Sequence, residues 1–236
     1  MMRFLTCLVL ASSLMPVGAG AQSREALADA AHAFDEAALR VEDNSAKATS
    51  VRKWMGPIKL GFTKGVRAPG LVEPTRQAVK QIAAEAGIEV IDLPPDEASP
   101  PYQVVFDENE SSNGQRNCFA RTWWQAWMIN KVELKINPAY GATIDGCIIH
   151  EAMHSFGFNS HPHDSDSVLS YRYKRHALTP LDKNLIHTLY DKRIVPGLKP
   201  AVASQLGCRI LGERLGASAT DVDAVCRDRT GPTPSI

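Results

Sequence analysis

The sequence predicts an α/β (α+β) protein: a mixed, twisted sheet that leads into a helix bearing a polar cluster, then a helical C-terminal part. Three observations carry this. Short β-branched or alternating runs recur at 58–62, 88–93, 102–106 and 132–136, and the helical pattern at 74–86 separates the first two. Thr179-Pro180-Leu181-Asp182 opens a second helix with an N-cap oxygen, a proline at the first helical position and a negative charge at the positive end of the dipole. The 236 residues are 44% hydrophobic and 22% charged, enough to enclose a core and unlike a disordered or coiled-coil chain.

In chain order, Arg3 is followed by an apolar run from Phe4 to Ala11, then by small residues ending Ala19-Gly20-Ala21. This is the anatomy of a secretory signal peptide, residues 1–21, cleaved before Gln22. The apolar run is too short for a comfortable membrane span, and no later segment is longer, so no stable membrane anchor is expected. The mature protein is thereby read as secreted or periplasmic. With 26 basic and 26 acidic side chains, the formal charge of zero argues against a nucleic-acid binder.

Residues 22–50 hold an N-terminal helix and a polar connector. Leu27, Ala31, Phe34, Ala38 and Val41 share a helical face that runs to about Glu42. This helix either packs on the domain or is a removable pro-segment. Residues 51–198 form the expected main domain. Ile58–Phe62 is its first strand, and Pro74–Ala86 a helix stopped by Gly87. Ile88–Leu93 and Tyr102–Phe106 are further strands, and Glu108–Asn117 is a polar loop. The segments Phe119–Trp127 and 132–136 read as two strands that could pair. Trp123, Trp124 and Trp127 fit either sheet packing or the wall of a cleft. The tail, 199–236, adds one short helical stretch and a Thr-Pro end.

Five cysteines become four once Cys7 leaves with the signal peptide. Four allow three pairings; Cys118–Cys147 would tie the strands to the next helix, and Cys208–Cys226 would staple the tail. A metal thiolate at Cys147 is the rival reading, disfavoured in an oxidising compartment.

The chemistry lies in a helical segment, 143–156. His150-Glu151-Ala152-Met153-His154 puts two imidazoles one turn apart, so both reach one cation, with a carboxylate beside them. Zn²⁺ at such a site lowers the pKa of a bound water to about 7, and Glu151 can take its proton. Gly157 can turn the chain back. The returning segment then offers His161 or His163 as a third ligand, leaving a position open for water.

His150-Glu151-x-x-His154-x-x-Gly157, the nearby histidine and Ser167-Val168-Leu169-Ser170-Tyr171 resemble the metzincin clan of zinc metallopeptidases. Cys147 to Leu198 is also similar to a bacterial exported domain family of unknown function, through Leu178–Asp182, Leu189–Asp191 and Pro196-Gly197. The resemblance covers Trp54 to Leu198. It implies a metzincin-like zinc-protease fold, His150 and His154 as metal ligands, Glu151 as general base, and a tight turn under the metal at 167–171. It further implies that Tyr171 helps the oxyanion, with a buried structural tyrosine as the alternative. Two positions depart from the clan. Its third histidine falls at Ser160, whereas His161 follows one residue later and stands ahead of His163 as third ligand. Its usual turn methionine is Leu169, a swap of similar volume. The implied function is a zinc-dependent metalloendopeptidase acting on a protein or peptide substrate. The alternatives are a non-catalytic exported module that binds zinc or a partner, and a cell-wall peptide hydrolase.

Overall fold

The computed structural model describes residues 19–41, 48–63, 68–94, 99–107, 118–163, 165–170 and 175–229. The signal segment up to residue 18, the 108–117 loop and the Thr-Pro end lie outside them.

Five strands form one sheet in the order β2-β1-β3-β5-β4: β1 (Ile58–Phe62), β2 (Val90–Asp92), β3 (Tyr102–Phe106), β4 (Cys118–Gln125) and β5 (Met128–Ile136). The β2-β1-β3-β5 pairs are parallel, and β4 closes one edge antiparallel to β5. The sheet is thus mixed. Strand β2 is shorter than the 88–93 run, and its side chains are largely exposed, as suits an edge strand. Elsewhere the alternation is plain: Tyr102, Val104 and Phe106 on β3 and Val132, Leu134 and Ile136 on β5 are buried.

Helix α2 (Val72–Ala86) makes the crossover from β1 to β2 and buries Val79, Ile82 and Ala83. Gly87 ends it at φ 67°, a conformation that costs glycine nothing. Helix α3 (Ile144–His154) packs on α2 and on the β4–β5 end of the sheet. It is tied to β4 by the Cys118–Cys147 disulfide, Cα atoms 6.2 Å apart. Helix α4 (Pro180–Leu189) starts with the cap read from the sequence: Thr179 Oγ1 accepts from Asp182 N, and Asp182 accepts from Thr179 N in a capping box. At its C-terminus, Lys53 Nζ donates to the carbonyls of Leu189 and Asp191. Burial pushes that ammonium's pKa down to about 8.

Two expectations change at the ends of the chain. The tail holds two helices, α5 (Pro200–Leu215) and α6 (Ala219–Cys226), joined by the Cys208–Cys226 disulfide. Helix α5 buries Ala203, Cys208, Ile210 and Leu211 against helix α1 (Ala19–Leu39), which packs on α4 and α6 as well. The expected apolar face of α1 is buried at Leu27, Ala31, Phe34 and Ala38, but the helix stops at Leu39, and Arg40 pairs with Ala48 instead. Both terminal segments therefore share the core with the rest. Among the described residues, no helix is long and apolar enough to cross a membrane.

Candidate metal centre

Helix α3 is apolar on most sides: Ile148, Ile149, Ala152 and Met153 are all buried. His150 and His154 lie one turn apart on its remaining face, His150 buried and His154 half-buried. Behind them the ring nitrogens are fixed. His150 Nδ1 lies 2.8 Å from the carbonyl of Val168, and His154 Nδ1 lies 2.6 Å from that of Phe158. A carbonyl only accepts, so both Nδ1 atoms carry the proton and both Nε2 lone pairs face forward.

The turn after α3 makes this possible. Gly157 has φ +102°, and a Cβ there would lie 2.1 Å from the carbonyl oxygen of Arg52. Only glycine satisfies both the conformation and the close approach. The turn is held from below: Trp54 Nε1 donates to Ser155 O, Tyr190 Oη to Phe156 O, and Tyr102 Oη shares a hydrogen bond with Ser155 Oγ. Tyr102 is fully buried and Tyr190 half-buried, and desolvation raises both phenol pKa values, so these donors stay protonated.

The returning chain brings in His161. Its Nε2 lies 2.9 Å from His150 Nε2 and 3.1 Å from His154 Nε2, and those two are 3.1 Å apart. These three histidines could hold a metal ion. His163 turns away: its Nδ1 lies 3.2 Å from Glu36 Oε1, and its backbone N–H donates to Glu36 Oε2. Three nitrogens near 3 Å from one another, two with the ring proton on the far side, are a poor arrangement without a cation between them. Tetrahedral zinc with Zn–N bonds of 2.0–2.1 Å spaces its ligands at about 3.3 Å, so the donor set fits such an ion with a slight opening.

Glu151 is 6% exposed and faces the same space. One carboxylate oxygen lies 4.0 Å from His150 Nε2, and the other accepts from Ala120 N at 2.9 Å. Ala120 is on edge strand β4, two residues from Cys118, so the disulfide and this hydrogen bond hold the carboxylate between the helix and the sheet edge.

Beneath the histidines, Val168 and Leu169 are buried, Leu169 in the place where the resemblance puts methionine. The turn is organised by Asp182, which is fully buried. Asp182 accepts from Ser167 Oγ at 2.5 Å, from Val168 N at 3.1 Å and from Thr179 N at 2.8 Å. Burial pushes this carboxyl up from the usual range, while donors from Ser167, Thr179 and Val168 pull it down. The residue read as a helix-dipole charge thus fixes the carbonyl that orients His150. Tyr171 lies outside the described residues.

The three tryptophans are not core. Trp123, Trp124 and Trp127 are 38–42% exposed at the end of the β4–β5 hairpin, and Arg52 stacks on Trp124. The hairpin turn, Ala126-Trp127, has positive φ at both residues, as a tight two-residue hairpin requires. Sequence reasoning also missed the carbonyls of Val168 and Phe158, the amide of Ala120 and the contact of Glu36 with His163. Backbone groups leave no mark in residue identity; only the Thr-x-x-Asp cap pattern offered a signal, and it spoke of a helix start.

The chain matches no protein-family model, and no curated protein matches it in sequence. Among solved structures it is similar to two of myroilysin. One is 13% identical with a TM-score of 0.42, over 59% of this chain and 96% of that one. The other is 12% identical with a TM-score of 0.34, over 75% and 92%.

Proposed function

We propose that this chain is an exported zinc metalloendopeptidase with a metzincin-like fold, acting on a protein or peptide substrate. The observation that carries the reading is the convergence of three Nε2 atoms within 3.1 Å of one another, with the Glu151 carboxylate beside them. His150, His154 and His161 would hold the ion, and three protein ligands leave a position for water and substrate. Zinc bound there supplies a Lewis acid that acidifies water and polarises a carbonyl. The rest is done by the chain. Glu151 takes a proton from the attacking water and returns it to the leaving amine. Its 6% exposure and its contact with Ala120 N keep it aimed at the reacting atoms. The carbonyls of Val168 and Phe158 hold two imidazoles in the one tautomer that presents Nε2. Tyr171 is assigned to the oxyanion on the sequence resemblance. Export after loss of residues 1–21 is supported by two disulfides.

The test is direct. Purified mature protein should carry about one zinc per chain and cleave an unfolded protein. Chelator should abolish cleavage, and Glu151→Gln should abolish it while keeping the metal. Zinc-loaded protein inactive on a broad peptide library would leave a binding module and end the peptidase reading; activity confined to cell-wall peptides would move the substrate.

A further inference from the structure

We propose that Glu36, on the N-terminal helix, is a positioning residue for the third histidine, so that α1 is a working part of the metal centre. The inference rests on the metal reading above and adds to it a residue far away in sequence. His150 and His154 ride on one helix, but His161 sits on a loop. That loop is moored to the last turns of α1. A helix leaves its final carbonyls without intrahelical partners. Here Ala37 O accepts from Asn159 N at 2.7 Å and Ser160 N at 3.1 Å, and Ala38 O accepts from Asn159 Nδ2 at 3.2 Å. On the other side of His161, Glu36 Oε2 accepts from His163 N at 2.8 Å, and Oε1 lies 3.2 Å from His163 Nδ1. The ligand is thus clamped at the two residues before it and the second residue after it, all by three consecutive positions of one helix.

Glu36 is suited to this use. It is 3% exposed, and its charge is matched by the equally buried Arg40, whose Nη2 lies 3.4 Å away, with His32 at the same distance on the solvent side. A buried carboxylate with these partners has little freedom to move. It accepts a charge-assisted hydrogen bond from a backbone amide, which fixes the chain and not merely a side chain. The same contact draws the His163 ring away from the other histidines and leaves the cluster with three.

The experiment is a zinc competition titration of the full mature chain against a chromophoric chelator, with wild type, Glu36→Ala, Glu36→Gln, His161→Ala and the double variant Glu36→Ala/His161→Ala. Partners behind metal ligands are typically worth about 10–100-fold in affinity, and Glu36→Ala should lose that much. Glu36→Gln keeps an oxygen for the His163 amide and should recover most of it. In the His161→Ala background the Glu36 effect should vanish, because Glu36 acts through that ligand. A purely structural glutamate would weaken zinc equally in both backgrounds, and that result overturns the proposal, as does an unchanged affinity in Glu36→Ala. Asn159→Ala removes a neutral mooring and leaves the Glu36–Arg40 pair intact; if Glu36→Ala does not fold, a severalfold weakening in Asn159→Ala supports the clamp and an unchanged affinity overturns it. Wild type that binds no zinc would instead overturn the functional reading on which all of this stands.

Discussion

Asp182 offers a perturbation whose size follows from its surroundings. Replacing it with alanine leaves three donors without an acceptor in a fully buried place: Ser167 Oγ, Val168 N and Thr179 N. A buried donor left unpaired costs about 1–3 kcal/mol, so Asp182→Ala should lose at least about 3 kcal/mol. Asparagine keeps one acceptor oxygen, and its amide can donate to Ser167 Oγ, so Asp182→Asn should lose less. Thr179→Ala, which removes the cap hydroxyl alone, should cost about 1 kcal/mol. These differences are measured by urea denaturation with chelator present, so that bound metal does not add to apparent stability.

The second half of the expectation concerns the metal. Val168 donates its amide to Asp182, and its carbonyl faces His150 Nδ1 at 2.8 Å. Releasing the amide frees the turn, so zinc affinity should fall about 10–100-fold in Asp182→Asn and further in Asp182→Ala. Two results would refute the reasoning. One is a stability loss in Asp182→Ala no larger than that in Thr179→Ala. The other is lost stability with unchanged zinc affinity, which would confine Asp182 to its helix cap.

Two further expectations rest on single residues. Gly157→Ala should cost about 2–5 kcal/mol, because alanine would be strained at φ +102° and its Cβ would meet Arg52 O; a loss below about 1 kcal/mol in thermal unfolding would show that the turn relaxes. For Lys53, the folded value of about 8 lies below the ordinary 10.5, so between them the unfolded chain binds the extra proton and stability rises with pH. The stability of wild type relative to Lys53→Met should therefore increase between about pH 8 and about pH 10.5, by at most about 3.4 kcal/mol, and a flat difference in urea midpoints would contradict the lowered pKa of this buried amine.

The elements that were legible in the sequence are those whose pattern is local. The strand at 58–62, the helix stopped by Gly87 and the cap at Thr179 follow from alternation, glycine conformation and a hydroxyl placed three residues before a carboxylate. The His150, Glu151 and His154 arrangement was legible because helical spacing alone places two imidazoles one turn apart. What was not legible depends on distant partners. The tail reads as one short helical stretch, yet it forms two helices, where Gly207 and Gly212 let Phe34 and Val222 approach closely. In sequence the tryptophans fit either sheet packing or a cleft wall, and they lie 38–42% exposed at the end of the β4–β5 hairpin.

The displaced third histidine joins these two kinds of information. In the metzincin pattern the ligand falls at position 160, and here that residue is Ser160, 1% exposed, with its amide spent on Ala37 O. That hydrogen bond holds the Ser160 backbone against the end of α1. The next residue reaches over: His161 Nε2 lies 2.9 Å from His150 Nε2 and 3.1 Å from His154 Nε2. On the proposed metal reading, a loop that rests on α1 at 159 and 160 presents its histidine at 161, so moving it back by Ser160→His/His161→Ser should lower zinc affinity in a chelator competition, and an unchanged affinity would refute this.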